Sequence, residues 1–188
     1  VVNDIFLAIS DLTGCLEAHR INYLIGGSIS SSLSGVYRAT NDVDVLVGKP
    51  LHLVPEVINS LTKKFFVDEL ALVQHHKALK AYNIFHEATA LKFDLFPAIN
   101  EFHRSQLVRA ITVTPTNSPS GFKIATPEDI VLAKLVWSQH SASERQTADI
   151  EGVLNLNRAS IDLIYFKTWA ERLGVQEQLE NFLKRQGQ

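Results

Sequence analysis

The stretch Asn22-Tyr23-Leu24-Ile25-Gly26-Gly27-Ser28, followed after thirteen intervening residues by Asp42-Val43-Asp44-Val45-Leu46-Val47, decides how this chain is read. Asn22 to Ile25 is a short apolar run with the texture of a strand. The two glycines break it, and Ile29 to Tyr37 reads as a helix that opens on them. A strand that ends in Gly26-Gly27 and gives way to a helix at Ser28 presents backbone N–H groups at the positive end of that helix. Such a corner binds phosphate, the glycines permit close approach, and Ser28 adds a hydroxyl. Val43 to Val47 is β-branched and alternates with Asp42 and Asp44, a strand signal. Side chains two apart on a strand share a face, with Cα atoms roughly 6.5–7 Å apart. With Val43, Val45 and Val47 turned inward, Asp42 and Asp44 share the other face. Two carboxylates so placed repel each other unless a cation sits between them. Hard oxygen ligands of this kind suit Mg²⁺ or Mn²⁺, with phosphate and water as the remaining ligands.

A third carboxylate lies in Leu91-Lys92-Phe93-Asp94-Leu95-Phe96, where Asp94 is the only acid in an apolar run. Burying it unpaired costs several kcal/mol, so it wants a cation, a metal or solvent. With Asp42 and Asp44 it completes an expected catalytic and metal-binding set. Such a set holds two ions about 3.5–4 Å apart, and Asp94 is placed to act as base towards an attacking hydroxyl. Each part has an ordinary alternative. Gly-Gly-Ser is a common turn, Asp-x-Asp can be solvated edge charge, and Asp94 can pair with Lys92 or a distant arginine. Together and in this order they point to transfer from a nucleoside triphosphate.

Outward from this centre the chain alternates helix and strand. Val2, Ile5, Phe6, Ile9, Leu12 and Leu16 recur at three- and four-residue steps, an amphipathic helix. Pro50 to Lys63 and Asp68 to Leu79 read as helices. Tyr82 to His86 and Ala90 to Phe96 read as a hairpin through Glu87 to Thr89, and Glu101 to Arg109 as a helix. Ile111 to Thr114 and Phe122 to Ala125 are strand-like, separated by the loop Pro115 to Gly121. Thr126-Pro127-Glu128-Asp129 is a helix start with a cap residue, a first-turn proline and acids at the positive end of the dipole. Glu144 to Leu154, Ser160 to Leu173 and Gln176 to Arg185 give three more helices. The expected class is α/β (α+β): a mixed sheet flanked by helices over 1–126, then a helical region over 127–188 packed on it.

The bulk composition excludes several classes. Apolar residues make up 46% and charged residues 20% of 188, too apolar for disorder. The net charge of −2 is not that of a dedicated nucleic-acid binder and disfavours a large polynucleotide as partner. The single cysteine, Cys15, forms no intrachain disulfide and reads as a small core residue. No uncharged apolar run approaches the roughly 20 residues of a membrane span. Val1 to Arg20 carries Asp4, Asp11 and Glu17 without a cationic leader, so a cytoplasmic location is expected. The histidines lack zinc-ligand spacing, and His75 and His76 read as surface residues. Neither a P-loop Gly-Lys-Ser/Thr nor a Gly-x-Gly-x-x-Gly occurs.

On these residues the chain resembles the nucleotidyltransferase superfamily, the group related to the DNA polymerase beta palm. The carriers are Leu24-Ile25-Gly26-Gly27-Ser28, Asn41-Asp42-Val43-Asp44-Val45-Leu46-Val47 and Leu91-Lys92-Phe93-Asp94-Leu95-Phe96. Arg38-Ala39-Thr40-Asn41-Asp42-Val43-Asp44 is similar to the Arg-x-Thr-x-Asp-x-Asp form of small bacterial members, including transferases of abortive-infection (type IV toxin–antitoxin) systems. Thr126 to Leu135, with Ser143-Glu144-Arg145-Gln146 and Asp149-Ile150, resembles the final motif of that subgroup. The resemblance implies that Gly26, Gly27, Ser28, Arg38, Lys134, Arg145 and Asp149 line the nucleotide site. It implies that Lys134 contacts the triphosphate and that Asp149 orients Lys134 or Arg145. The implied activity is metal-dependent transfer of an NMP to an acceptor hydroxyl on a tRNA end, a protein or a small molecule. A cognate toxin or antitoxin protein is a further implied partner. The alternative expectation is a catalytically silent nucleotide-binding or antitoxin-type module of the same fold.

Overall fold

Alternation of buried and open positions builds the sheet. In the strand Asp42–Val47 (β2), Val43, Val45 and Val47 are fully buried, while Asp42 and Asp44 are half-buried. The computed structural model describes residues 2–49, 51, 54–77, 80–139 and 143–185, with the side chains of residues 2, 3, 76 and 77 outside that set. The helix start expected at Pro50, the helix end expected at Leu79 and the surface reading of His76 lie outside the described residues.

The chain divides into two compact units: Val1–Gly26 with Thr40–Ile124, and Gly27–Ala39 with Ala125–Gln188. The first unit carries the sheet. Its strands are β1 (Tyr23–Ile25), β2, β3 (Phe65–Phe66), β4 (Tyr82–His86), β5 (Lys92–Pro97), β6 (Ile111–Val113) and β7 (Phe122–Ile124), in the order β3-β4-β5-β2-β1-β7-β6. The sheet is mixed: β2 pairs with β5 and β1 with β7 in parallel, and the other neighbours are antiparallel. One face is apolar. Val43, Val45, Phe93, Leu95, Tyr82 and Ile84 are buried on it, and Phe65 meets Phe93 edge-on with ring centroids 5.6 Å apart.

The amphipathic opening stretch forms helix α1 (Val2–Ala18), which buries Ala8, Ile9, Leu12 and Leu16 and packs against β7 and helix α3 (Pro55–Leu61). Helices α4 (Glu69–Lys77) and α5 (Glu101–Arg109) complete this unit. The Asn100 side chain caps α5 by accepting from His103 N at 2.7 Å. Among the described residues no helix is long and apolar enough to cross a membrane.

The second unit is helical: α2 (Gly27–Ser34), α6 (Pro127–Ser138), α7 (Glu144–Asn157), α8 (Leu163–Arg172) and α9 (Gln176–Arg185). Thr126 caps α6 as its sequence indicates. The acids that follow do more than meet a dipole. Glu128 and Asp129 are buried, and they accept from Asp162 N and the Tyr165 hydroxyl, both at 2.7 Å, which ties α6 to α8. Residues Gly27–Ala39, which carry α2, belong to this unit although they lie in sequence between Gly26 and Thr40 of the first. A cut made along the chain at Thr126 does not separate that segment.

Candidate active site

Four polar side chains form a square on the open face of the sheet. Parallel register sets Asp42 beside Lys92 and Asp44 beside Asp94. Their neighbours Val43, Val45, Phe93 and Leu95 are buried, so period two turns all four to the opposite face. Thr40 donates its hydroxyl to Asp42 Oδ1 at 2.7 Å. Gly26 N donates to the Asp44 carbonyl at 2.8 Å, fixing the end of β1 against β2 at the level of the acids.

Lys92 Nζ lies 2.8 Å from Asp94 Oδ2. The ammonium is held above its ordinary range by its hydrogen bond to Asp94 and by the fields of Asp94, Asp42 and Asp44, against burial, which pulls the other way. The Lys92 ammonium therefore stands in the field of all three carboxylates. Asp94 Oδ1 is buried and has no hydrogen-bond partner among the described residues.

The donor set has the chemistry of a hard divalent cation site: two carboxylates on one strand, a third in register beside them, and one acceptor oxygen without a partner among the described residues. Among the described residues no three His, Cys, Asp or Glu side chains already converge as a ready-made metal site.

The second unit carries the glycine corner and the expected cations. Gly27 opens α2 at φ 52°, a left-handed conformation suited to glycine. Arg38 Nη2 donates to Ser28 Oγ at 2.5 Å and lies 3.5 Å from Asp149 Oδ2. Lys134 Nζ reaches the same Asp149 oxygen at 2.8 Å. Asp149 and Lys134 are only 8% and 11% exposed, against 35% for Arg38. Two cations share one carboxylate oxygen, and Arg38 Nε is buried without a partner among the described residues. This cluster has spare capacity for an anion.

Local packing explains why these residues meet. Ser32 Oγ bonds both the N–H and the carbonyl of Arg38, at 3.1 and 3.2 Å, and folds the loop after α2 back on the helix. Helices α2 and α7 cross at small residues. A Cβ on Gly35 would stand 2.8 Å from Ser31 O and 3.0 Å from Val153 N, and one on Gly152 would stand 3.1 Å from Val36 Cγ2. Asn157 Nδ2 donates to Ser34 O at 2.6 Å and closes the end of α2.

Each expected residue thus has a place. Asp42, Asp44 and Asp94 share one face of the first unit, with Gly26 at its edge. Gly27, Ser28, Arg38, Lys134 and Asp149 belong to the second unit, the last four in one bonded network. Arg145 is exposed in the first turn of α7, while Asp149 engages Lys134 and Arg38. Lys92 was legible only as one possible partner of Asp94. Its place among all three acids follows from the β2–β5 register.

This sheet order with these helices is the nucleotidyltransferase fold, the architecture that the motifs imply. An antigenic nucleotidyltransferase-like protein from Paracoccidioides brasiliensis matches at TM-score 0.52 and 19% identity, over 95% of this chain and 92% of its own. The lincosamide antibiotic adenylyltransferase LnuA, solved with lincomycin bound, matches at TM-score 0.53 and 14% identity, over 79% of this chain and 96% of its own. ANT(2")-Ia, solved with adenylyl-2"-tobramycin, matches at TM-score 0.51 and 12% identity, over 97% and 98%. At such identities the likeness establishes the fold. No family model and no curated protein sequence matches the chain.

Proposed function

We propose that this chain is a metal-dependent nucleotidyltransferase that moves an NMP from a nucleoside triphosphate to an acceptor hydroxyl. The carrying observation is the shared face of Asp42, Asp44 and Asp94 on adjacent strands, with Asp44 beside Asp94 and no hydrogen-bond partner for Asp94 Oδ1 among the described residues. A sheet that needed only structural charge has no use for three carboxylates beside one another.

In this reading Asp42, Asp44 and Asp94 hold Mg²⁺ or Mn²⁺, which when bound neutralises charge on the triphosphate. Thr40 holds the Asp42 carboxylate in place. The Gly27 and Ser28 backbone with Arg38 and Lys134 takes the terminal phosphates, and Asp149 keeps the two cations together until the anion arrives. Asp94 accepts the proton of the acceptor hydroxyl. The acceptor oxygen forms a bond to the α-phosphorus, the bond from that phosphorus to the β-phosphate oxygen breaks, and pyrophosphate leaves with the electron pair. Positioning and charge neutralisation carry the rate, and losing one such donor lowers kcat by about 10²–10³-fold.

A small molecule is the acceptor class best supported. The chain is nearly neutral overall, and two fold relatives were solved with an antibiotic or an adenylylated antibiotic bound. A second reading, a silent nucleotide-binding or antitoxin-type partner, draws on the Lys92–Asp94 pair, which occupies one carboxylate oxygen. Parallel incubations with α- and γ-labelled triphosphates, Mg²⁺ and a panel of hydroxyl acceptors separate the readings. NMP transfer moves the α label alone and releases labelled pyrophosphate from the γ-labelled pool. A γ label on the acceptor, or binding without transfer of either, argues against it.

A further inference from the structure

We propose that Lys92 is a resident counter-cation of the three carboxylates Asp42, Asp44 and Asp94, and that its ammonium must swing off Asp94 before a divalent ion can bind. The inference rests on the reading that Asp42, Asp44 and Asp94 form the metal site. Lys92 Nζ is 2.8 Å from Asp94 Oδ2, and its strand register sets it beside Asp42. Three like charges on adjacent strands destabilise the sheet when no cation is near. A lysine is suited to relieving this, because its ammonium is a compact charge on a flexible stem. The same flexibility lets it leave. On the other side of Lys92 the register neighbour is Phe85, 40% exposed on β4, and next to it on β3 comes Phe66, 63% exposed. A displaced ammonium thus has solvent and an exposed aromatic ring beside it, a setting that attracts cations. No proton is exchanged in the swing.

Two consequences follow. Lys92 stabilises the metal-free protein, and it weakens metal affinity by the interaction that must be broken. The site then fills when the ion arrives with its triphosphate, whose charge adds to the attraction, more readily than with the bare ion.

The test is Mn²⁺ binding without nucleotide, followed by the electron paramagnetic resonance of free Mn²⁺, on wild type, Lys92→Gln, Lys92→Arg and Asp44→Asn. Lys92→Gln is expected to bind about tenfold more tightly, equivalent to about 1.4 kcal/mol. It should melt below wild type in EDTA and gain more from added Mn²⁺. Lys92→Arg is expected to bind like wild type. Asp44→Asn is expected to lose at least about tenfold in affinity. Unchanged or weaker binding in Lys92→Gln, with Asp44→Asn still defective, overturns the counter-cation and leaves the metal site standing. Undiminished binding in Asp44→Asn overturns the metal site itself. An independent reading comes from wild-type protein reductively methylated with ¹³C. Saturating Mg²⁺ should shift the Lys92 resonance, identified by its absence in Lys92→Arg, and an unmoved resonance overturns the proposal even if Lys92→Gln does not fold.

Discussion

Replacing Asp149 by alanine tests the cationic cluster of the helical unit. The carboxylate is 8% exposed and faces Lys134 Nζ at 2.8 Å and Arg38 Nη2 at 3.5 Å. At an effective dielectric near 20, unit charges at these separations attract by about 6 and about 5 kcal/mol before desolvation is subtracted. Arg38 is 35% exposed, so solvent screens most of its share. Lys134 is not so relieved, and removing one partner of a buried pair costs about 3–5 kcal/mol. We expect Asp149→Ala to lose about 3 kcal/mol, a fall of about 6–12 °C in Tm for a chain of this size. The assay is urea unfolding followed by tryptophan fluorescence. Trp137 and Trp169, the two tryptophans of the chain, lie in α6 and α8, so the signal belongs to this unit. Lys134→Met with Asp149→Leu replaces the pair by apolar groups and should return to within about 1 kcal/mol of wild type. A loss below about 1 kcal/mol in Asp149→Ala, or a double variant no better than the single one, would refute the reasoning.

Three further outcomes are expected. Lys134→Met should lower transfer by about 10²–10³-fold with a raised KM for the triphosphate, measured by initial rates; an effect on the acceptor KM alone would contradict its phosphate role. Gly35→Ala forces a Cβ to 2.8 Å from Ser31 O and 3.0 Å from Val153 N, both backbone atoms, and should cost about 1–3 kcal/mol in the same urea assay. The third concerns His103, whose Nδ1 accepts from Ile99 N at 3.3 Å, an interaction only the unprotonated nitrogen can make. Burial, joined by the nearby Arg104, holds the His103 pKa below its ordinary value against a backbone bond to Pro97. The unfolded chain then binds the extra proton first, so stability from this group is complete above about pH 6.5 and is lost as pH falls through the lower folded value. His103→Asn should flatten the decline in urea midpoint below about pH 6.5, followed by far-UV circular dichroism because the tryptophans report the helical unit, and an unchanged decline would remove His103 as its source.

The sequence speaks most clearly where periodicity and turn chemistry agree. Glu101–Arg109 forms as the helix its pattern indicates, and Pro127 opens α6 behind its Thr126 cap. The alternation around Asp42, Asp44 and Asp94 indicates the face each would take, because period two leaves no other choice once the valines and Phe93 are buried. Phe65–Phe66 was not legible as a strand, since two residues carry no period. The grouping of Gly27–Ala39 with the last helices rests on close approach at Gly35 and Gly152, and neither glycine signals its partner locally. Arg38 and Asp149 are 111 positions apart, and a one-residue change of register between β2 and β5 would take Lys92 from Asp42. Such pairings are set by packing over long separations.

The most direct test of the account is label transfer from an α-labelled triphosphate by wild type and Asp44→Asn, each verified as folded, with and without Mg²⁺. Transfer is expected to need the ion and to fall by about 10³-fold in Asp44→Asn, as follows when a charge-stabilising group at the reacting centre is removed. Transfer that persists in Asp44→Asn, or that runs equally well in EDTA, would contradict that expectation.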